Sequence, residues 1–149
     1  MAKVFIACDH RGFATKQTLL KRFKMPRGLH FVDLGPAEYD PNDDYNDASI
    51  AVARAIHEHP DSFGVLICGS AHGISIQANR FKGIRAIIGH NTKLAKLGRQ
   101  HNDANVICFS ADFQTFAQES RALKSFLTTK FLQEERHVRR NLRLDKEHL

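Results

Sequence analysis

Cys68 stands between the apolar run Val65-Leu66-Ile67 and a turn of small residues, Gly69-Ser70-Ala71-His72-Gly73. The run is short and uninterrupted, as suits a strand buried on both faces, and the turn leads into a plausible helix. A thiol placed there lies at a strand's carboxyl end, where free N–H groups at a helix start attract anions. Such amides can lower a thiol's pKa from about 8.5 and make it a usable base or nucleophile near neutrality. The amides of Gly69, Ser70, Ala71, His72 and Gly73 could also hold a phosphate, or the oxyanion that grows on a carbonyl during reaction. The turn matches neither G-x-G-x-x-G nor the loop ending in Gly-Lys-Ser/Thr, which argues against a nucleotide cofactor. Cys8 and Cys108 also fall near strand ends, but no glycine-rich loop follows them, and they read as small hydrophobic core residues.

Gly98-Arg-Gln-His-Asn-Asp-Ala-Asn105 forms a second constellation. His101 can donate or accept a proton near neutrality, and Asn102 can bind hydroxyls or order the turn. A helix C-cap is the plainer reading. Asp9-His10, after the first strand, counts against it by adding a carboxylate and another imidazole to the edge that His101 is expected to share. A third lies in Glu134-Glu-Arg-His-Val-Arg-Arg140, where Arg136 and Arg140 are four apart and so share one helical face. Two guanidinium groups so placed can grip a phosphate. Acidic neighbours and the lack of interleaved aromatic residues argue against nucleic acid as a partner.

The elements that must position these residues alternate along the chain. Strands are expected at Lys3–Cys8, Leu29–Leu34, Val65–Cys68, Ile84–Ile88 and Asn105–Phe109. Helices are expected at Phe13–Phe23, Ala48–His57, after Gly73, at Thr92–Gln100, at Phe113–Leu132 and at Glu134–Glu147, with an acidic loop from Glu38 to Asp47. Strand–helix alternation implies an α/β fold, a Rossmann-like three-layer sandwich with a five-stranded parallel sheet and a C-terminal helical extension. Every strand then ends on one edge, which gathers Cys8-Asp9-His10, Asp33-Leu34-Gly35, Cys68-Gly69-Ser70 and the residues after Phe109.

At 149 residues the chain suits one domain, 1–149. Three cysteines without metal-ligand spacing, and no signal-like opening segment, fit a reducing cytoplasm. No apolar run approaches the roughly 20 residues of a membrane span. The net charge of +6 and the isoelectric point near 9.5 suit anionic partners.

In chain order, Cys8-Asp-His-Arg-Gly-Phe13, Asp44-Tyr45, Cys68-Gly-Ser70, Gly73-Ile-Ser-Ile76, Asn79, Gly83-Ile-Arg-Ala86, Arg99-Gln-His-Asn-Asp103, Arg136-His137 and Arg140 resemble the ribose-5-phosphate isomerase B family. That family includes the galactose-6-phosphate isomerase subunits, and the resemblance covers nearly the whole chain. It implies an aldose–ketose isomerase of carbohydrate metabolism, in the pentose phosphate pathway, with no cofactor and no metal. Cys68 would be the base that moves a proton between C1 and C2, Ser70 a nearby hydroxyl, and His101 the group that assists ring opening. Asp9 and Tyr45 would contact the sugar, His10, Arg136 and Arg140 the phosphate, and Asn102 the substrate. A homodimer or homotetramer is implied, with the final helix, 134–149, crossing between subunits.

Three positions depart from the family's pattern. Ala71 replaces a glycine; if φ there is positive, it costs on the order of 1 kcal/mol. Asp112 stands where a phosphate-binding arginine is common, and its carboxylate would repel phosphate. Protonated His72 would offset that loss. Asn46 stands where proline usually follows the Asp-Tyr pair. A six-carbon phosphosugar isomerase, a Cys68–His101 acyl-transfer pair and a non-catalytic sugar-phosphate binding subunit are the alternatives.

Overall fold

The computed structural model describes residues 2–146. Its strands are β1 (Ala2–Cys8), β2 (Leu29–Asp33), β3 (Phe63–Cys68), β4 (Ala86–Ile88) and β5 (Val106–Ser110). They form one all-parallel sheet in the order β2-β1-β3-β5-β4. The helices are α1 (Phe13–Arg22), α2 (Tyr45–Glu58), α3 (His72–Ala78), α4 (Thr92–Asn102), α5 (Phe116–Thr128) and α6 (Glu135–Arg143). The expected α/β sandwich is therefore present.

Side-chain alternation divides the core into two layers. Val4, Ile6, Val65, Ile67, Ile107 and Phe109 face α1, α4 and α5, whereas Phe5, Ala7, Leu66, Val106 and Cys108 face α2 and α3. Val4–Cys8 of β1, Val65–Cys68 of β3 and Val106–Phe109 of β5 are therefore apolar throughout, which is why they read as continuous runs. From β1 the chain moves outward to β2, and from β3 it moves outward the other way. The sheet's topological switch point thus lies between β1 and β3, where open α/β sheets bind ligands.

Several boundaries differ from expectation for local reasons. α5 starts at Phe116 rather than Phe113 because Thr115 and Gln118 form a reciprocal capping box. Gln114 is spent on the preceding turn, accepting from the Ser110 N–H and donating to the Gly89 carbonyl. α5 ends at Thr128, not Leu132, and the chain is extended before Gln133 takes a φ of 57°. α2 starts at Tyr45, ahead of the expected Ala48, so the Asp44-Tyr45 pair opens a helix. α6 ends at Arg143; the expected end, Glu147, lies outside the described residues.

Lys16 was not singled out from the sequence, yet its side chain is fully buried. Its Nζ donates to the Asp33 carboxylate at 2.7 Å and to the Pro36 carbonyl at 2.8 Å. These contacts tie α1 to the loop after β2. Removing the carboxylate would leave a buried, poorly paired ammonium, which is among the costlier single changes a fold can suffer.

Candidate active site

Cys68 ends β3 beside the switch point and is 4% exposed. Its loop is fixed from both sides. The Asp9 N–H donates to the Ile67 carbonyl, the Ala111 N–H to the Cys68 carbonyl, and the Ser110 hydroxyl to the Gly69 carbonyl at 2.6 Å. Amides of Ile74, Ala71 and Ser70 act on the thiol and favour its ionised form, as expected. Burial outweighs them, and the Asp9 carboxylate adds to it, so the Cys68 pKa is raised rather than lowered. Cys8 and Cys108 are buried core thiols, as expected, with Cys8 pushed up to about 12 mainly by burial.

Ala71 has a φ of 68°, the left-handed conformation on which its cost depends. It is fully buried, and the turn around it leaves Ser70 and His72 exposed. The His72 N–H donates to the Ser70 hydroxyl at 3.3 Å. Tyr45, at the start of α2, covers the next residue: a Cβ on Gly73 would lie 2.5 Å from the tyrosine ring. That close approach is what glycine permits here. Asn46 does not displace this ring; its amide donates to Gln77 of α3 at 2.7 Å.

Asp9 and His10 sit on the neighbouring β1 loop. Asp9 is buried and accepts from the Gly12 N–H at 3.1 Å. Burial raises its pKa against that hydrogen bond. His10 is clamped by Asp43, whose Oδ1 lies 2.8 Å from both the His10 backbone nitrogen and Nδ1. That hydrogen bond raises the His10 pKa. Asp43 was missed in the sequence, where it is one of several acidic residues in a loop. Its nearness to the Asp44-Tyr45 pair was the available signal.

The expectation that His101 shares this edge is corrected by the structure. α4 runs antiparallel to the strands, so its last turn, with His101 and Asn102, lies at the sheet's amino edge. The Arg85 guanidinium, just before β4, donates to the Asn102 and Asp103 carbonyls. Val106, three residues beyond Asp103, pairs with Gly64 at the start of β3. Gly64 and Cys68 are separated by roughly 13 Å of strand. Within one chain, then, no Cys68–His101 thiol–imidazole pair forms. α6 joins the same amino edge, where Asn141 donates to the His101 carbonyl and the His101 and His137 rings stack. Arg136 and Arg140 are exposed on α6. The structure brings Cys68, Gly69, Ser70, Ala71, His72, Gly73, Asp9, His10 and Tyr45 to one edge, and His101, Asn102, Arg136 and Arg140 to the other.

Among the described residues no group of three or more His, Cys, Asp or Glu side chains is arranged to hold a metal ion. No helix among them is long and apolar enough to cross a membrane.

Residues 4–144 match the family model described as Ribose/Galactose Isomerase. The probable ribose-5-phosphate isomerase B of Mycoplasma pneumoniae is 39% identical over 86% of this chain and 84% of its own length. The Escherichia coli ribose-5-phosphate isomerase B is 39% identical over 74% of this chain and 73% of its own. Among solved structures, the Mycoplasma genitalium ribose-5-phosphate isomerase B with bound ribulose-5-phosphate aligns with a TM-score of 0.89 at 36% identity, covering 97% of this chain and 94% of that one. The type B ribose 5-phosphate isomerase of Trypanosoma brucei aligns at 0.92 with 33% identity and 97% coverage of both.

Proposed function

The chain belongs to the ribose/galactose isomerase family, and from that premise we propose that it interconverts ribose 5-phosphate and ribulose 5-phosphate with Cys68 as the base. The observation that carries this reading is the placement of Cys68 at the switch point, under the Ser70, Ala71 and Ile74 amides and beside Tyr45 and Asp9. Isomerisation takes the C2 proton of the open-chain aldose, forms a cis-enediolate and returns the proton to C1, while the O2 hydroxyl proton passes to O1. One base on one face serves both carbon atoms. Negative charge grows on the two oxygens beside the amide-rich 69–73 turn, whose N–H groups receive it on this reading, and the Ser70 hydroxyl is exposed to relay the oxygen-bound proton. A raised thiol pKa makes the thiolate scarcer at neutral pH but a stronger acceptor for a carbon-bound proton. The rate is therefore expected to climb on the alkaline side of neutrality.

His101, Asn102, Arg136 and Arg140 serve this reaction only if a second copy brings its amino edge to the first copy's carboxyl edge. We therefore read the protein as a homodimer or homotetramer built from a single isomerase domain, with α6 at the subunit interface. His101 of one copy opens the sugar ring, and Arg136 and Arg140 hold its phosphate. Exposed Ile76 and Phe113 give the carboxyl edge apolar surface for such a contact. Three free, buried cysteines suit a cytoplasmic enzyme.

Proton NMR of ribose 5-phosphate in deuterated water tests the base. The parent should erase the C2 hydrogen signal and Cys68→Ala should not; equal loss with both would overturn the assignment. Mixing inactive Cys68→Ala and His101→Ala chains tests the shared site. Exchanged subunits should regain activity that neither variant has alone, and a mixture that stays inactive after proven exchange would refute it.

A further inference from the structure

The loops after β1 and β5 meet over the first residue of the Cys68 turn. Arg11 Nη2 is paired with the Asp112 carboxylate. Both groups lie directly against Gly69: a Cβ there would come within 2.9 Å of Arg11 Nε and 3.0 Å of Asp112 Oδ2. Asp112 is itself fixed, its N–H donating to the Gly69 carbonyl at 3.1 Å. The Arg11 side chain remains 56% exposed. A guanidinium carries five N–H donors, and this pairing occupies only one edge of it.

The surrounding charges decide what such a group does. Asp9, Asp43 and Asp112 place three carboxylates around the Cys68 turn. His10 answers Asp43 and Arg11 answers Asp112, so consecutive residues of one short turn are each pinned by a carboxylate from a different loop. Without Arg11 the Asp112 carboxylate would stand uncompensated beside a site meant for a dianion. With it, a fixed planar fork suited to two phosphate oxygens stands over the first amide of the turn.

We propose that Arg11 is a phosphate ligand of this site, delivered by the β1 loop and held over Gly69 by Asp112. This rests on the sugar-phosphate reading of the same site and adds a residue to it. The expectation that Asp112 simply repels phosphate is thereby replaced: the carboxylate positions a cation brought from elsewhere in the chain. His72 is not needed for that compensation.

The test measures KM and kcat for ribose 5-phosphate, together with calorimetric affinity for inorganic phosphate, in the parent, Arg11→Ala, Arg11→Gln and the double variant Arg11→Ala/Asp112→Ala. Both single variants should raise KM and weaken phosphate binding at least tenfold, with kcat within about threefold of the parent. Arg11→Gln keeps much of the side-chain stem over Gly69 and guards against a packing effect. The double variant separates contact from charge balance. It should recover part of the loss but stay at least threefold weaker than the parent. Unchanged phosphate binding in both single variants would overturn the proposal, and so would full recovery in the double variant, because Arg11 would then only neutralise Asp112. A parent that binds phosphate but does not isomerise the sugar would instead defeat the functional reading, and the calorimetric arm would still decide the role of Arg11.

Discussion

The imidazole of His101 on α4 stacks on that of His137 on α6, with ring centroids 4.4 Å apart and planes inclined by 14°. His137 is buried, its Nε2 has no hydrogen-bond partner, and the nearest carboxylate oxygen, on Glu134, is 3.7 Å away. Burial lowers its pKa, and His101, Arg136 and Arg140 lower it further against the opposing pull of Glu134. A neutral imidazole thus forms the surface that fixes the orientation of His101.

Removing that surface should cost catalysis more than stability of the fold. His137→Ala is expected to lower kcat about tenfold, because on the proposed reading His101 transfers a proton and a small displacement of such a group is expensive. His137→Phe keeps an aromatic face and should stay within about threefold of the parent. The pH sign follows from the depressed pKa. The native state takes up the proton less readily than the unfolded chain, so stability is full above about pH 6.5 and falls as pH drops through the lower folded value. Denaturant melts from pH 7 to pH 5 should slope less for His137→Phe; an identical slope would show that His137 does not titrate in this way.

Asp43→Asn keeps an oxygen for the His10 N–H but removes the charge that stabilises the imidazolium. If His10 holds phosphate, as the family resemblance implies, its raised pKa in the parent keeps the ring protonated, and so binding, to higher pH. That binding contribution is present below the ordinary value of about 6.5 and fades as pH rises through the raised value. In Asp43→Asn the rise of KM with pH should therefore begin at lower pH. Coincident KM–pH curves would remove Asp43 from any positioning role.

Much of this arrangement was legible from particular residues. Val65–Cys68, and Val4–Cys8 within the expected strand Lys3–Cys8, read as strand because burial on both faces leaves no polar position there. The residues after them fell on the carboxyl edge for the same topological reason. His101 was misplaced although the signal existed: a helix leading directly into Asn105–Phe109 must end where that strand begins. What sequence spacing does not carry is partnership across the chain. Lys16 with Asp33, His10 with Asp43 and Arg11 with Asp112 join residues 17, 33 and 101 positions apart. Each looks like an ordinary surface charge until the sheet order places two loops side by side.

Glu119 on α5 is 2% exposed and its Oε1 has no hydrogen-bond partner. Burial alone pushes its pKa up to about 7. The folded chain then holds a proton that the unfolded chain releases above about pH 4.5, so stability declines as pH rises from there through 7, by an amount on the order of 3 kcal/mol. Glu119→Gln removes the titration and should be more stable than the parent at pH 8, with little difference at pH 4.5. Parallel melting curves across that range would count against a buried, protonated Glu119.

Ala71 sets two effects of similar size against each other. Its φ of 68° places a Cβ where L-residues pay about 1–2 kcal/mol. Its methyl group is fully buried among Ile74 and the side chains that face α2 and α3, which recovers up to about 0.8 kcal/mol. Glycine would relieve the strain, lose the methyl contact and add about 0.4–1 kcal/mol of unfolded-state entropy. Ala71→Gly should consequently change stability by less than about 1 kcal/mol, or a few degrees in Tm. Ala71→Val has no such balance, because a β-branched residue is far more strained at positive φ and has no free volume to enter. It should destabilise the fold by about 2–4 kcal/mol and lower kcat by tilting the Ser70 and Ala71 amides away from Cys68. Thermal melts of the two variants decide between a tolerated alanine and a conformationally neutral one: an Ala71→Val chain as stable as the parent would mean that the left-handed turn does not constrain this site.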